Sequence, residues 1–158
     1  MGVIEPGIKE AISVTKSKRI GVIGTKGTIR SKVYEKQLKK IDPEIQVVSK
    51  ACPLFVPIVE EGLENEEIAY KVAEKYLKDL KEADVDTLVL GYTHYPVLEH
   101  VIRSVMGSDV KIVHSGRETA KAVKNFLERE NLQSKKKKGK EKYFVTDLPE
   151  SFIEIGSR

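Results

Sequence analysis

A chain of 158 residues with 40% hydrophobic content is long enough for one domain with a substantial core. Its net charge of +4 is not a property of a face: the segment from Lys135 to Lys142 carries +5 by itself and leaves the remainder at −1, which argues against a nucleic-acid-binding surface. No run approaches the roughly 18 consecutive apolar residues of a membrane span, and no secretory leader is legible, so no membrane partner and a cytoplasmic location are expected.

Residues 1–18 read as a linker and a short helix, with a turn at Glu5-Pro6-Gly7 followed by a helical pattern from Ile8 to Val14. From Lys18 the text alternates between strand and helix. Arg19 to Ile23 is a strand, and Ile29 to Ile41 carries apolar residues at helical spacing through Val33, Tyr34 and Leu38, until Pro43 stops it. Ile45 to Val48 is the next strand, and Pro53 and Pro57 punctuate a loop. Glu66 to Leu80 is an amphipathic helix with Ile68, Val72, Ala73, Tyr76 and Leu80 on one stripe.

Thr87 to Leu90 is a buried strand, Val97 to Met106 a helix, and Lys111 to Val113 a last strand. Glu118 to Leu127 is one more helix, with Ser115 as its expected N-cap. Gln133 to Lys142 is a basic loop, Tyr143 to Val145 a short extended piece, and Pro149 to Arg158 a terminal helix. Such alternation predicts an α/β fold, a three-layer α/β/α arrangement around a mainly parallel sheet of about four strands. Residues 19–114 form its body, and 115–158 hold the C-terminal helices.

The stretch LGYTHYPVL, Leu90 to Leu98, stands at the C-terminal end of the strand Thr87–Leu90, where open α/β sheets place their chemistry. Gly91 is suited to a backbone turn, Thr93 offers a hydroxyl, and His94 offers the side chain that titrates nearest neutrality. LGYTHYP resembles the glutamate racemase signature LGCTHYP of the cofactor-independent Asp/Glu racemase superfamily, with Tyr92 in place of its cysteine. GVIEPG (Gly2–Gly7), IGVIGTKGTI (Ile20–Ile29) and KACPLFVPIVEEG (Lys50–Gly62) are similar to further motifs of the same family, in the same order. The resemblance covers the whole chain but only the C-terminal portion of such an enzyme.

That resemblance implies interconversion of L- and D-glutamate for peptidoglycan, without a cofactor, by two thiols on opposite faces of the α-carbon, one from each lobe. Neither is expected here, because one lies in the other lobe and the second is Tyr92. A phenol with a pKa of about 10 is a poor base at neutral pH beside a thiol near 8.5. Tyr92 is therefore either a weak base or a packing, site-blocking residue. By the same resemblance, His94 and Glu60 are the histidine that assists the cysteine and its carboxylate companion. A carboxylate beside an imidazole makes a sound acid/base pair, or else a surviving hydrogen bond with no substrate to serve.

Thr25 and Thr28, in GTKGT, match a Thr-x-x-Thr near the bound amino acid, and Thr93 matches a substrate-holding threonine. A Gly-rich turn entering a helix suits a carboxylate, and it equally suits plain capping. The turn is neither a P-loop nor GxGxxG, which argues against a nucleotide, and the resemblance implies no cofactor. Cys52 lies in an apolar run and reads as a buried structural thiol, its lone occurrence excluding an internal disulfide and a CxxC metal site. His100 and His114 read as surface or packing residues, and no metal is expected.

The expected ligand is glutamate or a similar small anion. The expected partner is a complementary N-terminal lobe or further copies of the chain in a homo-oligomer. By itself the chain is expected to be inactive as a racemase, and the alternative is a non-catalytic, anion-binding or self-assembling module.

Overall fold

In the computed structural model, which describes residues 2–134, 139, 140, 142–146, 153 and 156, four parallel strands lie in the order β2-β1-β3-β4. They are β1 (Arg19–Gly24), β2 (Gln46–Ala51), β3 (Thr87–Leu90) and β4 (Lys111–His114). Ile20 pairs with Val47 on one side and Thr87 on the other, and Leu90 pairs with His114. After β2 the chain crosses back over β1 to begin β3, so the direction of winding reverses between β1 and β3. In an open α/β sheet the crevice at that reversal, above the strands' C-terminal ends, is where a ligand site forms.

Alternation along the strands divides the core between two faces. Ile20, Val22, Val89 and Val113 face α1 (Ile4–Val14) and α3 (Val33–Ile41), meeting Ile8, Ala11, Tyr34 and Leu38. Ile23, Leu88 and Leu90 face the other way, toward α4 (Phe55–Glu60), α5 (Glu67–Glu82) and α6 (Glu99–Met106). The three-layer α/β/α reading is therefore correct. The helix α7 (Ser115–Arg129) continues directly from β4 and lies beside α1.

Several local expectations are corrected. Glu5-Pro6-Gly7 is not a turn but the first turn of α1, and Pro57 does not break a loop but lies inside α4. Both prolines occupy the third helical position, whose missing N–H has no intrahelical acceptor to lose. The segment Ile29–Ile41 is two helices, α2 (Lys26–Ser31) and α3, separated by Lys32 at φ 54°. Ser31 competes for the backbone there, donating to the Thr28 carbonyl at 2.7 Å and accepting from the Val33 amide at 3.3 Å.

The buried stripe of α5 is Ala69, Ala73, Leu77 and Leu80, and Ile68 is 48% exposed. Two fully buried alanines, Ala69 and Ala73, let α5 lie close to its neighbours; Ala73 and Leu80 are on the expected stripe, Ala69 and Leu77 are not. A 3-10 turn, Tyr95–Leu98, precedes α6, so the helix begins later than Val97. Ser115 is the first residue of α7 and is buried, and His114 holds the cap position. Tyr143–Val145 form no strand, and the helix expected at Pro149–Arg158 falls mostly outside the described residues.

Candidate functional site

The crevice is built by two turns. After β1 comes Thr25, whose Oγ1 accepts from the Thr28 amide at 3.3 Å and lies 3.0 Å from Thr28 Oγ1, capping α2. After β3 comes Gly91, whose backbone φ is not positive, so glycine is not there for a left-handed turn. Its role is closeness: the Gly91 amide donates to the Ile23 carbonyl at 2.8 Å, and a Cβ at Gly91 would meet the same oxygen at 2.8 Å. This approach brings the two turns together, with Thr28 Cγ2 3.6 Å from that Cβ position.

Beyond Gly91 the ring of Tyr92 stacks on His94, centroids 5.2 Å apart and planes at 27°. His94 Nδ1 lies 3.2 Å from Thr93 Oγ1, and its Nε2 lies 3.5 Å from Glu60 Oε1 at the end of α4. That second distance is long for a hydrogen bond and suits an ion pair that tightens when the imidazole is protonated. The His94 side chain is 22% exposed and Glu60 51%, so solvent reaches the pair. Tyr92, Thr93, His94 and Glu60 thus meet in one place, with Thr28 close by.

Beneath the turn, Tyr95 is fully buried, its hydroxyl donating to the Cys52 carbonyl at 2.9 Å. Its ring is edge-on to Phe55 at 5.4 Å and tilted against Tyr92 at 5.6 Å, and Phe55 is edge-on to Tyr76 at 5.5 Å. Burial pushes the Cys52 thiol up to about 12. At pH 8 native Cys52 should therefore react with iodoacetamide on the order of a thousandfold more slowly than a free thiol. Mass spectrometry of the adduct with and without denaturant is the check, and fast native labelling would contradict the burial.

Sequence reasoning missed a cavity of about 520 Å³ next to this site. Tyr92 and Thr93 line it together with Tyr34, Leu90, His114, Ser115 and Arg117. Tyr34 Oη and Ser115 Oγ lie 3.2 Å apart, and Ser115 Oγ also donates to the Leu90 carbonyl at 3.4 Å. His114 is buried, with Nε2 2.9 Å from Glu99 Oε2 but outside hydrogen-bonding alignment. Burial, ahead of the nearby arginines, lowers its pKa in spite of Glu99. The signal was available: HSGR follows a parallel strand just as GYTH does, and the same rule about strand ends applies to both. His100 is on the surface, its Nε2 3.1 Å from the Glu64 carbonyl. Among the described residues no three metal-ligating side chains cluster, and no helix is long and apolar enough to cross a membrane.

A parallel α/β lobe with a carboxylate–imidazole pair at its winding reversal defines the class: a doubly wound scaffold with a polar crevice at its strand ends. Comparison makes it specific, since the family model described as Asp/Glu/Hydantoin racemase matches residues 1–123, and the chain belongs to that family. A glutamate racemase of Geobacter metallireducens is 52% identical over the whole chain, which covers 59% of that protein. A glutamate racemase isoform from Bacillus anthracis superposes with a TM-score of 0.93 at 41% identity, over 99% of this chain and 59% of that one. The Francisella tularensis glutamate racemase, solved in complex with D-glutamate, gives 0.88 at 32% identity, over 98% of this chain and 57% of that one. The chain thus spans somewhat more than half the length of the relatives it matches.

Proposed function

We propose that this chain forms one wall of a glutamate cleft of the racemase type. In this reading His94 and Glu60 act as an acid/base pair, Thr25, Thr28 and Thr93 lie around the amino acid, and Tyr92 fills the place of the cysteine. The observation that carries it is His94 held between Thr93 and Glu60 and stacked on Tyr92, beside the reversal of the sheet. A carboxylate so placed orients the ring, as proton transfer at an α-carbon needs. The opposite wall would come from a complementary lobe or a second copy of the chain, and the product would be D-glutamate for peptidoglycan.

Inversion requires a second group on the far side of the α-carbon. Cys52, the one thiol in the chain, is buried with its pKa pushed up to about 12, so it supplies no thiolate to the cleft. We therefore expect the purified chain not to racemise glutamate. The test is NMR of L- and D-glutamate in deuterated water, following the α-proton signal together with optical rotation. Neither enantiomer should convert into the other, while the amide resonances of Thr28, Thr93 and His94 should shift on addition of glutamate. Inversion would overturn the half-site reading, and glutamate without effect on those amides would overturn the cleft.

A further inference from the structure

The near-neutral charge outside the basic loop conceals two opposed patches. Residues 26–40, which make α2 and nearly all of α3, hold Lys26, Arg30, Lys32, Lys36, Lys39 and Lys40 against the single acid Glu35, a net charge of +5. Residues 60–67, which join α4 to α5, hold Glu60, Glu61, Glu64, Glu66 and Glu67 and no cation, a net charge of −5. Little within the chain answers either patch. Glu35 is taken by Lys39 at 3.0 Å, Glu67 pairs with Lys71 at 2.8 Å, and Glu60 faces His94. Among the described residues Lys26, Arg30, Lys32, Lys36, Glu61 and Glu66 make no ion pair, and all six are exposed.

Both patches stand at the C-terminal ends of the strands, on opposite sides of the sheet. The helix α2 leaves the end of β1 and buries no residue fully. Its Ile29, with Val33 of α3, packs against the cluster that holds Ile20 and Val22. The segment 60–67 lies between Val59 and Ala69, which belong to the cluster on the other face with Leu88 and Leu90. It is at the same end because α5 must run back along the sheet to feed the parallel strand β3. One end of the molecule thus has a positive side and a negative side, with the crevice between them.

We propose that this end is a self-association surface, on which the α2–α3 patch of one copy docks against the segment 60–67 of a second copy. The occupant is the same chain because that chain carries the equal and opposite charge each patch lacks. A two-fold axis in the plane of the sheet and across its strands turns strand ends toward strand ends and exchanges the two sides. Both contacts then form at once, in a closed pair. An axis normal to the sheet would set like charge on like. Leu63, 38% exposed among the acids, and the half-buried Ile29 and Val33 among the cations give each patch apolar area to bury. As the opposite wall of a glutamate cleft the second copy rests on the reading above, whereas the docking itself rests on charge alone.

Sedimentation velocity of the full chain is the test. At about 20 mM salt it should show a dimer with a Kd of about 10 µM or tighter. At about 0.5 M salt, where the screening length falls to about 4 Å, it should show mainly monomer. Lys26→Glu with Arg30→Glu should be monomeric in both, and so should Glu61→Lys with Glu66→Lys. All four positions are exposed, so the variants keep the fold, which circular dichroism checks. An equal mixture of the two variants should form a heterodimer at low salt, because each meets the opposite charge on the other. Damage to the fold would not be repaired by mixing.

A monomer at low salt up to about 200 µM, far above the expected Kd, would overturn the proposal. So would a dimer indifferent to salt and to both charge reversals, which would lie on another surface, or variants that fail to pair when mixed. Assemblies growing beyond the dimer with concentration would overturn the two-fold pair in favour of a head-to-tail chain. Heparin held through Lys26 and Arg30 by a chain that stays monomeric would overturn it too, assigning the basic side to a polyanion. The glutamate NMR experiment, run at high salt, reads the cleft without the dimer, so the two ideas fail separately.

Discussion

Gly91→Ala should destabilise the fold by about 3 kcal/mol, lowering the melting temperature by roughly 10 °C for a domain of this size. The added Cβ would stand 2.8 Å from the carbonyl oxygen of Ile23, a backbone atom at the centre of the sheet that cannot swing aside. Nor can Gly91 retreat, because its own amide is bonded to that carbonyl. The entropy removed from the unfolded chain offsets well under half of this cost. Gly116→Ala is the control: it lies in the first turn of α7 with nothing within 4 Å of its Cβ position, and should be neutral or slightly stabilising. Equal melting temperatures for Gly91→Ala and the parent chain would remove the steric account of this turn.

Asp86 should be the carboxylate whose loss matters most to stability. It precedes β3 and ties down the connection between α1 and β1. Its Oδ1 accepts from the Thr15 hydroxyl at 2.6 Å and the Thr87 hydroxyl at 2.9 Å, and its Oδ2 from the amides of Lys16 at 2.7 Å and Ser17 at 2.6 Å. Partial burial pushes its pKa up, but these four donors outweigh that and hold it well below the usual carboxylate range. The unfolded value is about 3.9, so the folded state binds the proton less readily than the unfolded one. The stabilisation is then present in full above about pH 5 and is lost as pH falls through 4 toward the folded pKa.

Asp86→Asn keeps one oxygen acceptor and should cost about 2 kcal/mol at pH 7. The gap to the parent should close as the pH drops from 5 to about 2. Urea unfolding at a series of pH values measures both, and a gap independent of pH would assign the loss to packing instead of charge.

What the sequence reveals and what it hides follow a physical division. β3 is legible to the residue because Thr87-Leu88-Val89-Leu90 is a short apolar run with punctuation on both sides, and a parallel strand buried on both faces needs little else. The three layers follow from alternation alone. Pro6 and Pro57 mislead, because proline disrupts a helix everywhere except its first turn, and only the coordinates say where that turn begins. The α5 stripe misleads in part because Ala69 packs by being small, while the larger Ile68 points outward.

At the site, Tyr92, Thr93 and His94 are contiguous in sequence, so their grouping was readable, and Glu60 entered through the family motif. The cavity wall was not readable in the same way. His114, Ser115 and Arg117 meet Tyr34 and Tyr92 only because β3 pairs with β4 and α1 lies beside α7. The strand-end position of HSGR is legible, but its meeting with these rings leaves no local spacing to detect.

The row of rings running from Tyr76 through Phe55 and Tyr95 to Tyr92 and His94 has an optical meaning. The chain has no tryptophan, so its near-ultraviolet absorption comes from six tyrosines, and three of them belong to this row. Rings held rigidly in an asymmetric setting give strong circular dichroism, whereas exposed phenols such as Tyr143 contribute little. The protein consequently carries its own chromophore beside its chemistry. A change in the stacking of Tyr92 on His94 is written into the spectrum of the unlabelled molecule.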